Sequence, residues 1–542
     1  MKRTNVLWIT VLVLGWCFDF LFWKHAQGLN FALYVVLCLV GAFLVLGLNG
    51  IKPSWRALLL LVPILFFAVM TFIRQEPLSF FLSFVLTLGL MGLLAVSFLG
   101  GRWPWYSLSD YAANYGRLIG STFARPLMFL SARRKSAAAE GGAGGEKTSS
   151  RSGWKRFWAI FRGVLIALPI VVVFAALLSS ADLVFAQRLN DFIKLFRLEK
   201  LPEYIFRSVY ILIGAYALAG IILHAAHKSQ NEKLIGMEKP LVPQFLGFTE
   251  AAVVLGAVVM LFAIFVVIQF RYFFGGQTNI GVQGYTFSEY ARRGFGELVA
   301  VAFFSLLLFL GLSAIVKRQN QRQRWAFSGL GIGMVALVGV MLVSAFQRLL
   351  LYEAAYGFSR LRMYTHIFMI WLGVLLAAVM LLEILRRERL FSLAALLASI
   401  GFALTLVLIN VDGSIVRQNV ARAPQGKGLD IPYLTSLSTD AVPALAAEYE
   451  SPALPGLTRD AVGAVLVCRL HVISTSRVVD WRSFTLSAWW ADRAMDRLQS
   501  RLARYQVTVT QAGMKTIAPG QVAADPGGVK VLTPGNVYYV CP

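Results

Sequence analysis

The sequence predicts an all-α polytopic membrane protein with about 11 transmembrane helices and a small C-terminal α+β extracytoplasmic domain. Three observations predict it. Of the 542 residues, 58% are hydrophobic and only 14% charged, with a mean hydropathy of +0.67, far more apolar than a soluble chain of this size. Apolar runs of roughly 20 residues, the length that crosses a bilayer as a helix, recur along most of the chain. Beyond residue 412 those runs stop and the composition becomes that of a soluble domain. The formal net charge of +24 would suggest nucleic acid in a soluble protein. Here Lys and Arg lie mostly between apolar runs, where they set topology, and no nucleic-acid partner is expected.

Eleven windows satisfy the span criterion: 5–23, 29–49, 57–73, 78–99, 163–185, 208–226, 248–274, 294–316, 325–350, 363–385 and 390–411. The first begins at "MKRTNVLWITVLVLGWCFDFLFW", whose basic start resembles a signal sequence. Its apolar core is long for a cleaved peptide and no small-residue cleavage site follows, so it reads as an uncleaved first span. Basic residues concentrate in alternate connections, above all 102–162. The positive-inside tendency then puts the N-terminus in the cytoplasm and the C-terminal domain outside.

Four segments follow. Residues 1–130 hold spans one to four and an amphipathic stretch, "SLSDYAANYGRLIGSTFARPLMFL", expected along the inner surface. Residues 131–162, rich in Gly, Ser, Ala and basic residues, read as a flexible cytoplasmic linker. Contact of this linker with anionic lipid is its functional reading, and a solvated tether is the plainer and expected one. Residues 163–411 hold the remaining spans, with a second amphipathic stretch at 186–207.

Residues 412–542 form the exported domain. "LSTDAVPALAAEYE" reads as a short helix, "LTRDAVGAVLVCRLHVIS" as a second, and "VVDWRSFTLSAWWADRAMDRLQSRLARYQ" as a third. "VTVTQ", "VKVLT" and "VYYVC" alternate as strands do. Cys17 and Cys38 fall in spans, where a thiol behaves as a small hydrophobe. An exported domain permits a Cys468–Cys541 disulfide, but sequence supplies no distance, so the pairing stays open.

No phosphate-cradling glycine loop, metal-ligand spacing or nucleophile elbow is present. No catalytic residue, metal or cofactor is therefore expected. His224 and His227 share a helix face, but two ligands alone make a weak metal site. What does stand out is charge at the outer ends of the spans: Arg271, Glu289, Arg292, Arg293, Glu297, Arg348, Glu353, Arg360, Arg362, His366 and Asp412, with Asp19 and Asp182 at the same level. Arginines there work against the positive-inside tendency, so local partners should hold them. In "TFSEYARRGFGELVAV", Thr286 and Glu289 fit a capping box, and Glu289, Arg293 and Glu297 recur at four-residue steps. Arg292 falls off that stripe. Two readings of the cluster compete. It is either an outward-facing pocket for an anionic headgroup, lipid-linked substrate or peptide carboxylate, or a set of salt bridges that hold helix ends together and dock the C-terminal domain. The second is the expectation.

The stretches "FRYFFGG", "YTFSEYARRGFGELVAVA", "LYEAAYGFSRLRMYTHIFMIWL", "NVDGSIVRQNVAR", "LDIPYLTSLSTDAVPAL" and "DWRSFTLSAWWA" also carry a resemblance. Over roughly residues 245–495 the chain resembles the bacterial membrane proteins grouped under domain of unknown function 4173 and the related domain of unknown function 4153. The resemblance implies a bacterial inner-membrane protein of this multi-span type. It implies no established activity and transfers no site residue.

Three functions are weighed. The first is a non-catalytic membrane scaffold or signalling and binding protein, in contact with the lipid bilayer and with an unidentified membrane or extracytoplasmic protein partner. The second is a transporter or lipid-handling protein, which would want polar groups near the bilayer midplane. The third, a multi-span glycosyltransferase, would want an acidic residue in a sizeable first outer loop, and here that loop is only residues 24–28. The first is the expectation and the third the weakest.

Overall fold

The computed structural model describes residues 3–140, 200–227, 244–273, 295–425, 428–475 and 480–541, less 511–512, 519–520 and 526–527, together with isolated positions between 163 and 188 and at 229 and 234. Among the described residues, 10 helices are long and apolar enough to cross a membrane, and the chain is a multi-pass helical membrane protein. In order the helices are α1 (Thr4–Phe22), α2 (Leu29–Leu48), α3 (Trp55–Leu58) and α4 (Leu61–Ile73), which together make one span, and α5 (Pro77–Ser97). There follow α6 (Leu108–Glu140), α7 (Leu201–His227), α8 (Phe248–Phe273), α9 (Phe295–Ile315), α10 (Gln321–Tyr356), α11 (Arg360–Ile384) and α12 (Phe391–Ile409). The expected span at 163–185 lies outside the described residues but for scattered positions.

The α6 helix runs through Glu140, into the stretch expected to be flexible linker. Its last turns, "SARRKSAAAE", are rich in alanine and basic residues, all strong helix formers. The rest of the expected linker lies outside the described residues.

The chain divides into two compact units. One comprises residues 1–23, 41–51 and 117–227. Within it α1 packs on α7. Asp19 is buried and accepts hydrogen bonds from Arg207 Nε at 2.9 Å and from the Tyr210 hydroxyl, while Trp23 Nε1 donates to Glu203 at 2.8 Å. The charge that sequence places at the end of the first span is thus satisfied by side chains one turn apart on α7.

The other unit comprises residues 24–40, 52–116 and 228–542. Here α10 packs against α8, α9 and α11, and α12 lies between α11 and α5. After α12 come α13 (Val411–Arg422), α14 (Ile431–Ser436), α15 (Val442–Glu450), α16 (Gly456–Thr475) and α17 (Leu486–Leu502). The core of this C-terminal part is continuous with the spans: Ile367 and Leu406 pack in one buried cluster with Val416, Leu445, Val465 and Leu498. The tail is a sheet in the order β1 (Gln506–Thr510), β4 (Gly528–Leu532), β5 (Tyr538–Val540), antiparallel throughout, with a separate hairpin of β2 (Gly513–Ala518) and β3 (Gln521–Asp525).

Two further details depart from the sequence reading. The stretch expected as one long third helix begins its helix only at Leu486. Asp480 caps a 3-10 turn at Trp481–Ser483, and Thr485 caps α17. The β2–β3 hairpin was not expected, since its small and polar residues lack the alternation that marks the other strands.

Candidate functional site

The turn between α4 and α5 sets the first part of the site. The apolar run ends at Ile73, Arg74 is extended, and Pro77 opens the next helix. Glu76 caps that helix, accepting from the backbone N–H of Leu78 at 2.9 Å and of Ser79 at 2.8 Å. The N–H groups of Gln75 and Glu76 both donate to Asp440 Oδ2, at 2.8 and 2.9 Å. Asp440 is only 3% exposed. Burial pushes its carboxyl above the usual range, and the Ser487 hydroxyl, those two N–H groups and the charge of Arg74 oppose the shift only in part. Its second oxygen, Oδ1, has no hydrogen-bond partner among the described residues. Asn410, in the left-handed conformation at φ 52° between α12 and α13, donates from Nδ2 to the Asp440 carbonyl at 3.2 Å.

The second part is an ion pair between span and C-terminal helix. Arg360 opens α11 and Asp412 lies in the first turn of α13. They meet as a bidentate fork, Nε to Oδ1 at 2.8 Å and Nη2 to Oδ2 at 2.6 Å. Asp412 is fully buried and also accepts from the Ser438 N–H at 2.6 Å. The Arg360 backbone N–H donates to the Tyr433 hydroxyl at 2.7 Å, and one turn along α11 the Tyr364 hydroxyl donates to Glu76. Arg469 of α16, itself buried, donates to the carbonyl of Thr435 at 2.9 Å and to that of Leu437, and burial pushes it down to about 10.

The third part is the turn between α10 and α11. Asn419 brackets Phe358, accepting from its N–H at 2.8 Å and donating to its carbonyl at 2.9 Å. Arg362 stacks on Tyr352 with its guanidinium carbon 4.2 Å from the ring centroid and donates to the Gly357 carbonyl. Arg422 donates to the Ala354 carbonyl at 2.7 Å. Glu353 Oε1 and His366 Nδ1 are 3.1 Å apart and both side chains are buried, with the Phe346 ring 4.6 Å from the imidazole. A fourth connection joins the loop between α1 and α2 to the 3-10 turn: Leu29 N donates to the Phe484 carbonyl at 2.9 Å, and a Cβ on Gly28 would stand 2.7 Å from that oxygen.

Of the residues singled out from sequence, the fold brings together Arg360 and Asp412, and separately Glu353 with His366, with Arg362 close by. Arg348 is half-buried on α10 and engaged in a contact. Glu297 is exposed in the first turn of α9. The side chain of Arg271 and residues Glu289, Arg292 and Arg293 lie outside the described residues. Sequence reading missed Glu76, Asp440 and Arg469. The first two had a signal: an acid directly before a helix-opening proline in "QEP", and an acid in the capping segment "STDAVP". Nothing in the sequence marks Arg469, which follows the apolar stretch 461–468 of α16.

Cys468 and Cys541 form a disulfide with their Cα atoms 5.5 Å apart, fastening α16 to the end of the sheet. Beside the Asp440 corner opens a cavity of about 800 Å³, lined by Arg74, Asn410, Asp440, Pro443 and side chains of α17 from Ser487 to Arg497. Among the described residues no three His, Cys, Asp or Glu side chains converge as metal ligands would.

A helical membrane protein whose C-terminal helices are bonded to the ends of its own spans is the class these features define. The chain belongs to the family described as Domain of unknown function (DUF4153), whose model matches residues 61–448. The match begins far earlier than the stretches that carry the resemblance in sequence and takes in α4 and α5, whose connecting turn holds Asp440. No curated protein and no solved structure matches the chain.

Proposed function

We propose that the protein is a non-catalytic membrane scaffold or binding protein, with residues 412–542 as its exported module, the N-terminus cytoplasmic and the host membrane the bacterial inner membrane. One observation carries this reading: ionisable groups at the span ends are spent on pairing and on backbone groups. Arg360 is held by Asp412, and Asp440 by the N–H groups of Gln75 and Glu76. The Arg360–Asp412 fork, closed on itself at both prongs, suits a strut better than a working acid, base or nucleophile, which needs an open side toward substrate. The positive-inside bias and the disulfide both favour an exported module. In this reading residues 131–162 are a cytoplasmic tether that meets anionic lipid, and the module receives a protein partner.

The test is replacement of the pair by apolar residues of similar size. Arg360→Met with Asp412→Leu, introduced into a strain lacking the gene, should restore the wild-type phenotype if the pair is a strut. Loss of function with normal membrane levels would defeat the scaffold reading and revive transport or lipid handling.

A further inference from the structure

The 800 Å³ cavity lies where a lipid headgroup would be. Two of its wall residues follow directly on membrane spans: Arg74 on Ile73 of α4 and Asn410 on Ile409 of α12. The cavity therefore stands at the level where hydrocarbon gives way to headgroups. Its other wall is α17, which contributes Ser487, Trp489, Trp490, Arg493, Asp496 and Arg497, turns Ala491, Ala494, Met495 and Leu498 into the core and leaves Trp489 and Trp490 partly exposed. Tryptophan at this depth is the usual interfacial anchor.

The charged lining is mixed. Arg74, Arg493 and Arg497 are cationic, and Arg493 and Arg497 stand one turn apart on α17. Arg493 is held over the Trp489 ring at 4.3 Å. Asp440 and Asp496 supply carboxyl groups, and Asp440 has an oxygen without a hydrogen-bond partner among the described residues. Guanidinium groups one turn apart suit a phosphodiester. Carboxylates across from them suit a cationic hydrogen-bond donor. A purely anionic headgroup would meet both aspartates with like charge.

We propose that this cavity binds a phospholipid headgroup in which a phosphodiester carries a primary ammonium, with Arg493 and Arg497 on the phosphate and Asp440 and Asp496 on the ammonium. The proposal does not rest on the scaffold reading, since a transporter could hold the same lipid.

The experiment is native mass spectrometry of the full-length, delipidated protein in detergent, titrated separately with phosphatidylethanolamine, phosphatidylcholine and phosphatidylglycerol. Wild type should bind phosphatidylethanolamine first and most tightly, because choline has no N–H to donate and glycerol brings no cation. The Arg493→Ala, Arg497→Ala double variant should weaken that binding roughly tenfold, as loss of charged hydrogen bonds does. Asp440→Asn, or Asp496→Asn should the first fail to fold, should remove the preference over phosphatidylcholine while leaving phosphate-dependent binding in place. Equal binding of all three lipids, a preference for phosphatidylglycerol, or a phosphatidylethanolamine affinity unchanged in the arginine variant would overturn the proposal.

Discussion

Arg360 and Asp412 meet as a two-pronged fork, 2.8 and 2.6 Å, across the joint between a membrane span and the C-terminal helices. Removing the Asp412 carboxylate leaves the half-buried Arg360 guanidinium without its counterion. Asp412→Asn should therefore destabilise the protein by about 3–5 kcal/mol, while the Arg360→Met, Asp412→Leu double variant should come out close to wild type. Thermal unfolding in detergent checks both, and equal losses in the single and double variants would show that the fork is not what matters at this joint.

Asp440 should make stability depend on pH. Its folded-state affinity for a proton is raised by burial, so its stabilising contribution is full below the titration of an unfolded carboxyl. That contribution is lost as pH rises through the higher folded value. Asp440→Asn has no such loss. Its melting temperature should gain on wild type as pH rises across the acid range, whereas parallel curves would mean that the carboxyl titrates as it does in the unfolded chain.

Gly357 closes α10 at φ 82°, where a Cβ would fall 2.5 Å from Arg422 Nη1 and 2.7 Å from Asn419 Oδ1. Both a left-handed backbone and a filled space oppose any side chain there. Gly357→Ala should cost about 1–3 kcal/mol, read as a lowered unfolding temperature. A variant as stable as wild type would show that Asn419 and Arg422 shift aside at little cost.

The Cys468–Cys541 bond closes a loop with a sequence separation of 73. Its removal by Cys541→Ser should cost about 2–4 kcal/mol and open residues 506–541 to protease before the helices are cut. Simultaneous cleavage of sheet and helices would mean that the tail is held by packing alone.

The orientation proposed for the chain predicts that a single cysteine introduced at Arg501, 58% exposed at its side chain, reacts with an impermeant maleimide in intact spheroplasts. One at Arg322, between α9 and the apolar part of α10, should react only after lysis. The reverse pattern would invert the topology.

What sequence alone determined is the membrane class, the positions of ten spans among the described residues and most of the C-terminal elements. Those follow from composition and from local capping: an apolar run of sufficient length has few alternatives to a spanning helix. It also marked Arg360 and Asp412 as charges needing partners, because a charge at the membrane margin is costly alone. Which partner each took was decided only by tertiary structure. Asp412 and Arg360 are 52 residues apart, and the partners of Asp440 are backbone N–H groups 364 and 365 residues away. A backbone donor has no sequence signature, so Asp440 and the cavity it borders became visible only when the α4–α5 turn and the C-terminal helices were brought together.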